Sequence, residues 1–390
     1  VDGGICLQAD VLVLGAGPAG STAALNLAPH ACVLLADKRT ATGSRIGESL
    51  PAAAGRLLRD MGLEAAFLAQ GHLPCQHTRS TWDSAAALEQ DAMRNLDGHG
   101  WHLERDRFDA WLLEVAQQRG AAVLRDSRLV GALWEEGAEP HWRLELMRQG
   151  RALAVEARAV IDASGRNSSF SRHAGSQRHA GDKLVCGWLL GCDAAVSNAD
   201  NATGGNSELH AEAEGWWYTS ALPGSRRLLA FYTDADLAAA QAARAPALLL
   251  ARAASIPAIA ALLQKQDRAA DEYGFCAANS AVLSAASGQA WLAVGDAALA
   301  FDPLSSQGLF NALYTGLAGA EALHRHLHGD SMALSDYQDE IIRIQRAYAA
   351  HRDIWYGTER RWPDSPFWRR RHGPGDILRT ERRRNEIDIA

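Results

Sequence analysis

At 390 residues the chain is long enough for two or three domains around a large buried core. A formal net charge of −7, with 22% charged residues, gives no reason to expect a nucleic-acid partner. No uncharged apolar run reaches the roughly 18 residues of a membrane-spanning helix, so no membrane span is expected. No basic segment followed by an apolar core opens the sequence, and the expected location is cytoplasmic. Six cysteines, at 6, 32, 75, 186, 192 and 276, show neither CxxC nor zinc-ligand spacing. They read as free, mostly buried thiols, and no metal site is expected.

The first element is Asp10–Leu14, a short apolar β-branched run. It leads into Gly15-x-Gly17-x-x-Gly20, and Pro18–Leu27 then reads as an Ala-rich helix stopped at Pro29. Strand, glycine turn and helix in this order form the dinucleotide-binding fingerprint. Gly15 permits the tight turn, Gly17 lets a pyrophosphate approach the backbone, and Gly20 lets the helix pack on the strand. The free N–H groups at the start of the helix, from Ala19 onward, favour an anion. A second strand, Cys32–Ala36, ends in Asp37, placed to bond a ribose hydroxyl.

Further along, Trp101–Asp109 precedes a helix over Ala110–Gln118, so Arg105 enters the nucleotide domain and can contact a cofactor's phosphates or ring edge. Residues 157–161 read as a buried strand, followed by Asp162-Ala163-Ser164-Gly165. Alternating patterns at Leu184–Leu190 and Trp216–Tyr218, linked by polar loops such as Ser197–Asn206, read as an inserted sheet. The Ala-rich stretch 238–262, broken by Arg244, Pro246, Arg252 and Pro257, reads as two helices that do not cross a membrane. Trp291–Val294 runs into Gly295-Asp296, which puts a carboxylate at the C-terminal edge of a strand, where open α/β sheets bind ligands. Asp302-Pro303-Leu304-Ser305-Ser306-Gln307-Gly308 then opens a helix with an apolar face at Leu309, Leu313, Leu317 and Leu323. The dipole and amides at its start suit an anionic reduced flavin. Paired with the first glycine turn, this second motif indicates FAD.

Residues 333–358 read as helical. Residues 359–384 hold nine Arg against four acids, so they carry +5 and the remainder of the chain carries −12. This basic tail is either a surface for an acidic partner or a helix whose Arg stems pack on Trp362, Phe367 and Trp368.

Through these motifs the chain resembles the FAD-dependent monooxygenases and the related flavin-dependent halogenases. Gly47-Glu48-Ser49-Leu50-Pro51, the Asp302–Gly308 segment, Glu359-Arg360-Arg361-Trp362 and Phe367-Trp368-Arg369-Arg370 look most like the flavoproteins that mature protein-derived tryptophylquinone cofactors. The resemblance implies an α/β fold: a Rossmann-like FAD-binding domain of the glutathione-reductase type (1–75, 105–182 and 285–330), an inserted β-sheet substrate domain (76–104 and 183–284), and a helical C-terminal segment (331–390). It implies FAD contacts at Gly15, Gly17, Ala19, Gly20, Asp37, Lys38, Arg45, Arg105, Asp162, Gly165, Asp296, Pro303, Ser306, Gln307 and Gly308.

The chemistry so implied is attack of an electron-rich ring on a flavin C4a-hydroperoxide made from dioxygen. The expected partner is a polypeptide bearing the Trp to be hydroxylated, with electrons from a separate flavin reductase or NAD(P)H. The alternatives are a halogenase, a small-molecule aromatic hydroxylase, a flavin-binding assembly partner, or a reductase of unsaturated chains. Tryptophan halogenases place a Lys near the start of the inserted sheet. Here His77-Thr78-Arg79-Ser80-Thr81-Trp82 offers only Arg79, which stays protonated. Their Asp-Pro-Leu-Glu-Ser-Thr-Gly turn carries a Glu and a Thr where this chain has Ser305 and Gln307, and their Trp-x-Trp-x-Ile-Pro run is absent. No general base is assigned; His77, His99 and His102 flank the inserted strands.

Overall fold

The computed structural model describes residues 6–40, 45–84, 86–91, 97–192, 205–263 and 272–372. Lys265, most of the polar loop 197–206 and the tail beyond residue 372 lie outside the described residues.

The glycine turn sits between β1 (Cys6–Leu14) and α1 (Pro18–Leu27), and β2 (Val33–Ala36) lies parallel to β1. On the other side of β1 runs β3 (Arg151–Asp162), also parallel, and the strand Trp291–Ala293 extends the same parallel set. These strands belong to an eight-stranded sheet in which residues 141–148 pair antiparallel with β3. Buried on both faces, the central strands read as continuous apolar runs, and Val11, Leu12 and Val13 are wholly inaccessible. Against this sheet pack α1, α2 (Arg105–Gln118) and α3 (Gly308–Leu327). Arg105 is thus the first residue of α2, which begins five residues before the expected Ala110.

Close approach explains the small residues. A Cβ on Gly20 would lie 1.9 Å from the Gly15 carbonyl oxygen, and one on Gly316 would lie 2.6 Å from the Ala19 carbonyl oxygen. The glycines therefore let α1 sit tightly on both the turn and α3.

The second sheet has nine strands and forms a roof. Its centre is β4 (Leu184–Cys192), β5 (Gly215–Leu222) and β6 (Arg226–Asp234), with β7 (Glu272–Ala277) at one edge. Strands 205–212, 73–81, 88–91, 100–102 and 49–50 complete its other side, so Ser49 and Leu50 belong to the roof. The Ala-rich stretch forms three short helices, Ala239–Ala243, Pro246–Ala253 and Pro257–Leu263, that seat Leu249, Ala253 and Ile259 against one face of the roof. By length and composition the last two pass as a broken span bent by 118°, but no single helix among the described residues is long and apolar enough to cross a membrane.

Helix α4 (Ala333–Thr358) matches the expected range, and a short α5 (Pro366–Arg371) follows. The basic segment before residue 372 is docked on the roof. Phe367 and Trp368 are fully buried, and the Trp368 indole donates to the Glu212 carbonyl at 2.8 Å. Arg371 lies over the Phe367 ring and pairs with Asp234 at 2.7 Å, while Arg370 bridges Asp234 and Asp236. These cations serve internal contacts, as the packed-stem reading requires.

The cysteines depart from expectation. Cys6, Cys32, Cys75, Cys186 and Cys276 are free thiols, but only Cys186 is buried, and Cys6 and Cys32 are exposed. Cys6 opens β1 at its exposed end and Cys32 stands just before β2, so neither packs in the core.

Candidate functional site

A cavity of about 1000 Å³ opens between the two sheets, at the upper end of the size range of ligand sites. Its floor is the C-terminal edge of the parallel strands, and its far wall is the roof.

At one end lies the glycine turn. Gly15 has φ +113°, and a Cβ there would strike the Ala163 carbonyl oxygen at 2.3 Å. Gly17 is different: nothing lies within 4 Å of a Cβ built on it, and it faces the cavity as the N-cap of α1 with no side-chain cap. The first amides of α1 are therefore open toward the space, an arrangement suited to phosphate oxygens. Beside them Asp37 accepts from the Ala16 amide at 2.7 Å and from the Arg39 amide at 2.8 Å. Burial alone would raise its pKa, but the Arg39 guanidinium and these amides outweigh it and hold the carboxyl below its ordinary value. Lys38 and Arg45 also line this end.

Arg105 lines the cavity, but its donors are largely occupied. It donates to the carbonyls of Ile46 and Gly47 at 3.0 and 2.7 Å and pairs with Asp109 at 3.2 Å. It clamps the segment carrying Glu48. The Glu48 carboxylate, 3% exposed, accepts from Ser220 of β5 at 2.6 Å and ties the start of the 49–50 strand to the centre of the roof at the cavity wall.

Midway along the floor, Asp296 faces the cavity and pairs with Arg166 at 3.3 Å. Gly295 has φ +58° and donates its amide to Thr315 of α3 at 2.8 Å, fixing the carboxylate's strand end to the helix. At the far end stands the 302–308 turn, where Asp302, Pro303, Ser306 and Gly308 line the space. Asp302 caps its own turn through the Leu304 amide at 2.9 Å, and Ser306 adopts φ +51° to bring the chain into α3. Burial, and next the negative charge of Asp182, push the Asp302 carboxyl up to about 6.

Three of the expected cofactor residues lie off the cavity wall. Gly20 is packed between α1 and the turn. Asp162 is wholly buried, its two oxygens accepting from the amides and hydroxyls of Ser164 and Ser171 at 2.6–3.0 Å, so it shapes the Ala163–Gly165 turn from behind. The Gln307 side chain is exposed beside the N-terminus of α3. Gly15, Gly17, Ala19, Asp37, Lys38, Arg45, Arg105, Gly165, Asp296, Pro303, Ser306 and Gly308 are all brought together on one wall.

Sequence reasoning assigned no roof side chain to the site. Trp188, Trp216, Tyr218, Tyr232 and Phe275 face the same space. Trp216 stacks on Tyr232 with centroids 3.9 Å apart. The period-two spacing of Trp216 and Tyr218, which puts both on one face of a strand, was the available signal. Of the flanking histidines, His102 is fully buried and His77 is exposed, and neither lines the cavity; Arg79 is exposed and off the wall as well. Among the described residues no group of His, Cys, Asp or Glu is placed to hold a metal ion.

A family model described as an FAD binding domain matches residues 8–350. The chain belongs to this family. The flavoprotein is 29% identical over 371 residues to the putative FAD-dependent oxidoreductase LodB of Marinomonas mediterranea, covering 93% of this chain and 96% of that protein. In fold it is similar to the myxobacterial chondrochloren halogenase CndH, with TM-score 0.83 at 23% identity over 98% of this chain and 89% of the other. It is likewise similar to the peptidyl tryptophan dihydroxylase QhpG, essential for tryptophylquinone cofactor biogenesis, with TM-score 0.73 at 25% identity over 94% of this chain and 79% of that one. It is an FAD-dependent oxidoreductase that shares its fold with a flavin-dependent halogenase. The open cradle before Gly17, the uncapped start of α1 and the cavity volume of about 1000 Å³ fit this cofactor.

Proposed function

We propose that this flavoprotein hydroxylates an aromatic ring, and that the ring is a tryptophan side chain of a partner polypeptide awaiting conversion to a quinone cofactor. The observation that carries the reading is the aromatic lining of Trp188, Trp216, Tyr218 and Tyr232 in the same cavity as the 302–308 turn. An indole entering this cavity would meet aromatic surface as well as the turn that opens α3.

In this reading Gly15, Gly17 and the first amides of α1 hold the pyrophosphate, Asp37 a ribose hydroxyl, and Asp296 the ribityl chain. The turn at Pro303, Ser306 and Gly308 would hold the isoalloxazine ring. Bound and reduced, FAD supplies two electrons to dioxygen, so that one oxygen atom adds to the ring and the other leaves as water. The chain's own part is to orient the indole, exclude water and support developing charge. The amides opening α3 stabilise negative charge at the turn. The roof strands β4–β7 present no lysine to the cavity, and a tryptophan halogenase of the kind described above needs one. Electrons would come from a separate flavin reductase or from NAD(P)H.

The test is incubation of the reduced protein with ¹⁸O-labelled dioxygen and a tryptophan-bearing partner peptide, followed by mass spectrometry. Label on the indole is the expected result. Oxygen consumed wholly to peroxide, or product that forms only with added halide, overturns the reading.

A further inference from the structure

Strand β7 is the edge strand of the roof and pairs antiparallel with β4, placing Cys276 directly opposite Cys186. Both thiols are free, and both line the cavity. The Ala278 amide donates to the Leu184 carbonyl at 2.9 Å. By the alternation of an antiparallel ladder, Cys186 and Cys276 therefore form another hydrogen-bonded pair. The Cα atoms of such a pair stand about 5.5 Å apart, within the range of about 4.4–6.8 Å that a disulfide spans. An edge strand has a neighbour on one side only, so β7 has the freedom to make the remaining adjustment.

The two thiols are unequal. A hydrogen bond from the Cys186 thiol lowers the pKa of Cys276 against the effect of burial, and the positive charge of Arg166 adds to the lowering. Burial, and then the neighbouring Cys276, drive Cys186 well above its ordinary value. One is suited to attack and the other to wait as a thiol. Two residues along, the Trp188 ring lies so close over Gly274 that a Cβ there would meet it at 2.3 Å. A shift of β7 on bond closure therefore reaches the aromatic wall.

We propose that Cys276 and Cys186 form a peroxide-oxidisable dithiol site on the cavity wall, with Cys276 the attacking sulfur and Cys186 the resolving one. The oxidant is hydrogen peroxide, which arises when a reduced flavin passes two electrons to dioxygen and no substrate is oxygenated. The Cys276 thiolate attacks one peroxide oxygen, the O–O bond breaks, a sulfenic acid forms, and hydroxide leaves to take up the thiol's proton as water. The Cys186 sulfur then attacks the sulfenic sulfur, the S–S bond forms and the S–O bond breaks. The departing hydroxide takes the Cys186 proton as a second water. Two thiols and one peroxide thus give one disulfide and two waters. The disulfide narrows the cavity beside Trp188 until a reductant reopens it, which makes unproductive turnover self-limiting. This chemistry is independent of the aromatic substrate's identity.

The FAD-loaded protein is treated with stoichiometric hydrogen peroxide, alkylated under denaturing conditions, digested and analysed by mass spectrometry. A linked peptide pair holding Cys186 and Cys276, two hydrogens lighter than the separate peptides and lost on dithiothreitol treatment, is the expected product, with the exposed Cys6 and Cys32 still alkylated. In Cys186→Ser the reaction stops at a sulfenic acid on Cys276 that dimedone traps, and in Cys276→Ser the Cys186 thiol stays reduced. Full alkylation of both thiols after peroxide, irreversible oxidation of wild-type Cys276, or linkage of either to another cysteine overturns the proposal. No hydroxylation assay enters this test, so its failure is distinct from failure of the hydroxylase reading.

Discussion

The hydroxyl of Tyr356 donates a hydrogen bond to Oδ2 of Asp302 at 2.7 Å, joining α4 to the turn that opens α3. The same hydroxyl accepts from the Trp216 indole at 3.2 Å, so one oxygen links the C-terminal helix, the aromatic wall and the flavin turn. Tyr356→Phe leaves both the Trp216 N–H and one Asp302 oxygen short of a partner in a buried place. The expected loss is about 1–3 kcal/mol of unfolding free energy, read from denaturant midpoints at unchanged slope. An undisturbed midpoint would mean that water takes over both contacts.

Asp302 should also leave a signature in the pH dependence of stability. Its carboxyl is raised from 3.8 to about 6, chiefly by burial, so the folded state holds its proton more tightly than the unfolded chain does. Stability from this group is full below 3.8 and is lost as pH rises through about 6. Asp302→Asn removes the titration. Between pH about 4 and about 7, the difference in stability between wild type and variant should change by up to about 3 kcal/mol, with wild type relatively weaker at the higher pH. Parallel urea titrations at saturating FAD measure it. A pH-independent difference would show that Asp302 titrates normally.

Two glycines of one turn should fail differently. Gly15→Ala demands φ +113° of an L-residue and drives a methyl to 2.3 Å from a carbonyl oxygen, so the turn cannot form and neither fold nor cofactor binding should survive. Gly17 sits at φ −82°, ψ −177°, extended backbone that alanine adopts, with open space before it. Gly17→Ala should therefore unfold within about 0.5 kcal/mol of wild type as apoprotein. Its methyl nevertheless enters the space assigned to the pyrophosphate, and the purified variant should lose its yellow colour. A fully flavinylated Gly17→Ala protein would place the phosphates elsewhere.

What could be read in advance was whatever is encoded locally. Helix α1 ends where Pro29 and the periodicity say it must, and α4 occupies its expected residues because both are continuous in sequence. Asp162 looked like a cofactor ligand, since a strand-end carboxylate before a Gly turn reads the same whether it faces out or in. Only the hydroxyls of Ser164 and Ser171, folded back over it, turn it inward. The aromatic wall draws on strands from 184 to 277, and no window contains it. The basic tail was similarly opaque: a charge count registers Arg370 and Arg371, but Asp234 and Asp236, which take up their charge, lie more than a hundred residues earlier.

The carboxylate at Asp296 gives the most direct check on the cofactor's path. It stands at the strand end where the floor meets α3, with Arg166 at 3.3 Å as its charged neighbour among the described residues. Asp296→Ala removes an ionised acceptor, worth about 1.5–3 kcal/mol in such a bond, so FAD affinity should fall by roughly 10- to 100-fold. Ser305→Ala is the contrast. The Ser305 hydroxyl donates to the Asp302 carbonyl at 2.9 Å and accepts from the Gln307 amide at 3.3 Å, bonds internal to the turn. Losing them should cost about 1 kcal/mol of stability or less while FAD stays bound. Flavin titration by fluorescence quenching of both apoproteins separates the cases. Equal affinity in the two variants would remove Asp296 from the ribityl contact and shift that role to the amides around Gly165 and Gly308.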